Sequence, residues 1–79
     1  MDLETSLRKE TEKWLLKVKE EMKSARLLDQ ERKHVLENIN AYIKDSEYFL
    51  EKNDLIRAFE AVIWAWAILE NSREFGVIK

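Results

Sequence analysis

Nothing in this chain forces a helix to break before position 76. Proline is absent and Gly76 is the only glycine, so the two residues that most strongly punctuate local structure are missing from everything upstream. The space is filled largely by Glu, Lys, Leu and Ala, residues that lose little on entering a helix. The chain is therefore expected to be all-α. Its 79 residues bury only about 60–65% of their unfolded surface, enough for one modest core and no second domain.

Apolar residues recurring at about 100° per residue divide this helical potential into three runs. Leu3, Leu7, Trp14, Val18, Met22 and Ala25 share one face, with Leu15 at its edge, and predict a first helix over about 3–25. The pattern lapses from Ser24 to Asp29. Asp29 is placed to cap a second helix over about 30–52, its carboxylate accepting free backbone N–H groups. The inward face of that helix is Val35, Leu36, Ile39, Tyr42, Ile43, Ser46 and Leu50, with Phe49 at the margin. Lys52-Asn53-Asp54 interrupts it, and Asp54 or Asn53 caps a third helix over about 55–75 that Gly76 stops. The core face of the third helix is Leu55, Ala58, Phe59, Val62, Trp66 and Leu69. Its run AVIWAWAIL, Ala61 to Leu69, reads alone as a buried strand, but the alanines, the preceding LIRAFE and the lack of turn residues favour helix. Two short connections between three helices predict an up-and-down three-helix bundle, a single domain over 1–79.

The third helix carries an anomaly. Ala61, Trp64, Ile68 and Phe75, spaced three, four and seven apart, form a second apolar stripe among Arg57, Glu60 and Asn71. Two readings follow. Either the helix sits deep in the wedge between its neighbours and Trp64 lies along one of them, or the stripe is a Trp-centred protein interface rimmed by charge.

Composition removes much chemistry. No Cys means no disulfide framework, thiolate metal site or cysteine nucleophile, and it fits a reducing compartment. A net charge of −2 gives no global attraction to nucleic acid or anionic membrane. The N-terminal MDLETSLRKE lacks a basic-then-apolar signal, and the run from Ala61 to Leu69 is about half a membrane span, so a cytoplasmic protein is expected. Glu31-x-x-His34 has the spacing that di-metal carboxylate bundles use, but those need two such motifs and this chain has one His. On helix 2, His34 would lie opposite Leu36, Ile39 and Ile43 and point into water, so no metal or other cofactor is expected. Ser6, Ser24, Ser46 and Ser72 have no activating base in view, and no enzyme is expected. Lys9, Lys13 and Lys17 recur at i, i+4 and form a short positive stripe able to meet phosphate. Glu10, Glu12, Glu20 and Glu21 interleave with it, as on a solvated mixed-charge face. Tyr48, on the outer face of helix 2, offers a lone ring for stacking on a base or a partner.

From Tyr48 the string YFLEKNDLIRAFEAVIWAWAILE resembles the core of a family of short archaeal proteins, domain of unknown function 357. The matching positions are Phe49 and Leu50 ending a helix, the Asn53-Asp54 break, then Arg57, Ala58, Phe59, Glu60 and Ala61 leading into Trp64, Ala65 and Trp66. The resemblance is strong over residues 40–76. It implies a compact up-and-down three-helix bundle and no activity. The same segment is similar to one tetratricopeptide hairpin: Tyr42, Ser46 and Phe49 stand at its helix-A positions and Ala58, Val62 and Ala65 at its helix-B positions. Ser46 replaces the usual Gly and no second copy follows at a period near 34, so the likeness implies hairpin geometry and not a peptide-binding array.

These readings converge on a non-enzymatic interaction module that homodimerises or docks on another protein through Ala61, Trp64, Ile68 and Phe75. Nucleic-acid binding by Lys9, Lys13 and Lys17 is the alternative. No small-molecule ligand and no membrane are expected as partners.

Overall fold

Three α-helices make up most of the computed structural model, which describes residues 2–79: α1 (Leu3–Ser24), α2 (His34–Glu51) and α3 (Leu55–Glu74). Together they form an all-α, up-and-down three-helix bundle. Trp66 Nε1 donates to the Trp14 carbonyl, Arg73 pairs with Glu21 and Arg8 bonds Asn53, so α1 and α3 run parallel. The intervening α2 runs antiparallel to both, with its Glu47 paired to Lys19 and its Ser46 bonded to Ala58. α3 packs along α1 on one flank and α2 on the other, while α1 and α2 barely touch. The third helix is the middle of the molecule.

Four of the six helix ends rest on capping chemistry the sequence supplies, while α2 begins after Lys33 with no side-chain cap. Asp2 caps α1 by accepting the Thr5 N–H at 2.7 Å, and that bond holds its carboxyl below the ordinary carboxylate range. Asp54 caps α3 by accepting the Arg57 N–H. At the end of α2, Asn53 takes a left-handed φ of 60°, its N–H donates to the Leu50 carbonyl and the Asp54 N–H to that of Phe49. This is a Schellman motif, and it recurs at the end of α3. There Gly76, at φ 74°, donates to the Arg73 carbonyl and Val77 to that of Ser72.

Two backbone features depart from the sequence expectation. α2 starts at His34 rather than near 30, because residues 29–34 offer no inward apolar side chain to reward a longer α-helix. Gln30–Arg32 instead forms a 3-10 turn, which Asp29 caps through the Glu31 N–H at 3.1 Å. Beyond α3 the chain does not simply end in solvent. Val77 accepts the Leu28 N–H at 2.8 Å, Lys79 donates to the Arg26 carbonyl at 2.8 Å, and Leu27 and Ile78 form an antiparallel bridge. The tail thus clips onto the α1–α2 connection and puts Ile78 in the core beside Leu15, Val18, Ile39, Val62 and Leu69.

Two fully buried hydroxyl residues complete the packing. Ser46 Oγ donates to the Ala58 carbonyl at 2.7 Å where α2 and α3 come close, and Thr11 Oγ1 to the Leu7 carbonyl one turn back at 2.8 Å. Leu3, expected on the inward face, is instead exposed at the open end of the bundle beside Ile56.

Candidate interaction surface

A helix held between two others must be apolar on both flanks, and this accounts for the second stripe of α3. Ala61 is buried and Ile68 is half-buried against the core. Both are therefore withdrawn from an interface: this part of the stripe faces α2, not the outside. Trp64 lies on the same flank with its ring stacked on Tyr42, centroids 6.2 Å apart and planes within 19°, yet 57% of it remains exposed. Phe75 stands past the last turn of α3 and is 78% exposed. The opposite flank meets α1, where Trp66 packs edge-on to Trp14 at 5.7 Å while donating to its carbonyl at 3.0 Å.

Between these flanks runs the true outer side of α3. It carries Ile56 and Ile63, 69% and 43% exposed, together with Ala67. Ile63, Ala67 and Glu70 border a groove of about 280 Å³ whose other wall is Trp14 and Trp66. Ile56 borders a second groove of similar size with Leu3, Leu7 and Leu55. Sequence reasoning passed over Ile56, Ile63 and Ala67, although their spacing of seven and four sets them on one side of a helix. The signal was masked because α3 is apolar nearly all round.

The basic stripe is partly engaged. Lys13 pairs with Glu10 at 3.4 Å, and the ammonium groups of Lys13 and Lys17 lie 5.2 and 4.8 Å from the Trp14 ring centroid. Lys9 is exposed. Glu31 and His34 do not share a helix as their spacing suggested: Glu31 belongs to the 3-10 turn and His34 opens α2, both exposed. Among the described residues no three His, Cys, Asp or Glu side chains gather as a metal site. Tyr48 is half-exposed, edge-on to Phe49, with Lys52 over its ring. No helix among the described residues is long and apolar enough to cross a membrane.

Fold and surface together describe a small helical bundle with an apolar outer edge. Residues 9–78 match the family model for protein of unknown function DUF357, and the chain belongs to that family. It is similar to the crystal structure of protein AF1782 from Archaeoglobus fulgidus, assigned to the same family model. The two are 50% identical with a TM-score of 0.90, over 99% of this chain and 97% of that one. No curated protein matches it.

Proposed function

We propose that this protein is a non-enzymatic interaction module that docks on another protein surface through the outer side of α3, and that it works in the cytoplasm. One observation carries the reading: Ile56 and Ile63 are exposed on the outer side of α3, each bordering an apolar groove, with the exposed ring of Trp64 on the adjoining flank. Exposed apolar surface with an aromatic at its edge and charge around it is what protein interfaces are built from. Phosphate binding by Lys9, Lys13 and Lys17 is the competing reading. The Glu10 partner of Lys13 and the net charge of −2 weigh against it.

Site-specific photo-crosslinking in the native cell tests the proposal. A photoreactive residue at Ile63 or Trp64 should give a discrete protein adduct, whereas the same residue at Lys44 on the outer side of α2 should not. No adduct from either α3 position defeats the reading.

A further inference from the structure

What covers the outer side of α3 follows from where the charges lie. The Trp66–Trp14 bond and the Arg73–Glu21 pair each join residues 52 apart in sequence, so each α1 residue stands level with the α3 residue 52 further on. Lys9 and Lys17 are then level with Ala61 and Leu69, one residue, or about 1.5 Å of rise, from Glu60 and Glu70. All four charged side chains are exposed and none has an ion-pair partner among the described residues. Helical spacing sets Lys17 and Glu70 toward the groove between α1 and α3, with Lys9 and Glu60 further round toward the outside of their helices. Glu10 and Glu20 on the α1 edge are already paired with Lys13 and Lys23 of the same helix. The charge left free there is the positive charge of Lys9 and Lys17, and on the α3 edge the negative charge of Glu60 and Glu70, at matching heights.

We infer that this face binds a second copy of the chain about a two-fold axis parallel to the helices, so that α1 of each copy lies on α3 of the other. Such an axis exchanges the two edges without changing the heights. Lys17 of one copy meets Glu70 of the other, Lys9 meets Glu60, and each pair occurs twice. Ile63 and Ala67 rest on the alkyl stems of the second copy's Lys13 and Lys17, whose ammonium groups already lie over Trp14. The alternative two-fold, perpendicular to the helices, sets α1 on α1 and α3 on α3. It brings the Lys stripe against itself and the acidic edge against itself, so charge selects the parallel axis. The molecule measures 43 × 18 × 17 Å, and a face of that length and width matches the roughly 800 Å² each partner contributes to a standard interface. This inference rests on the reading of α3 as a docking surface and names its occupant.

Sedimentation equilibrium across the micromolar range, with charge-reversed variants, provides the test. The unaltered chain should be a dimer that weakens with salt. Lys9→Glu with Lys17→Glu should raise the dissociation constant by about 100-fold or more, since four attractive pairs per dimer become repulsive. Glu60→Lys with Glu70→Lys should do the same. Mixing the two variants should restore a dimer containing one of each. All four positions are exposed, so circular dichroism should show the same helical content throughout. A dimer indifferent to these reversals overturns the arrangement, as does a chain that stays monomeric at every concentration. If that monomer still crosslinks to a different protein from Ile63, the second copy is ruled out as the occupant while the docking surface stands.

Discussion

Ile78 is 1% exposed although it belongs to no helix. Its burial depends on three residues of tail lying against Arg26–Leu28, and on the side chain entering a core otherwise built by helices. Ile78→Ala should lower unfolding free energy by about 2–5 kcal/mol, the usual cost of truncating a buried Ile to Ala. Urea denaturation followed by circular dichroism measures it. The residue was invisible in the sequence because a single apolar side chain after a glycine has no periodic companion, and its partner Leu27 is some 50 positions away. Thr11 escaped notice for another reason. Its hydroxyl is satisfied by its own helix, so a nominally polar residue is fully buried at no cost in unmade hydrogen bonds.

Helix ends were the most legible elements because their chemistry is local. Asp54 as a cap, Asn53-Asp54 as a break and Gly76 as a stop require only neighbours in sequence, and the two Schellman motifs supply the geometry. The two sites tolerate a left-handed backbone differently. Asn53 carries a side chain there, and its Oδ1 accepts a bond from Arg8 that ties the turn to α1 at 2.6 Å. Gly76 has no side chain and open space where one would be. Gly76→Ala should therefore cost about 1–2 kcal/mol through backbone strain alone, with no clash to relieve. Thermal melts of the two forms, identical in helical content at low temperature, check this. Less legible was which neighbour each flank of α3 would meet. Periodicity identifies an apolar direction but not what lies along it, so Ala61 and Ile68 looked like an outer face when they were the flank turned to α2.

At the scale of the whole molecule, the fold was readable because three amphipathic runs with two short connections leave few alternatives. The proposed interaction surface was not, because it is whatever remains of α3 after both neighbours have taken their share. That sharing has a consequence for how the protein comes apart. Since α1 and α2 barely touch, losing α1 removes one flank of α3 and leaves the α2–α3 hairpin, with its Ser46–Ala58 bond, intact. Native-state hydrogen exchange should resolve two cooperative units: α1 amides opening at a lower free energy than those of α2 and α3, which open together near the global limit. One common opening energy for all three helices would mean that Trp14, Trp66 and the tail weld α1 to α3 as firmly as the hairpin is held.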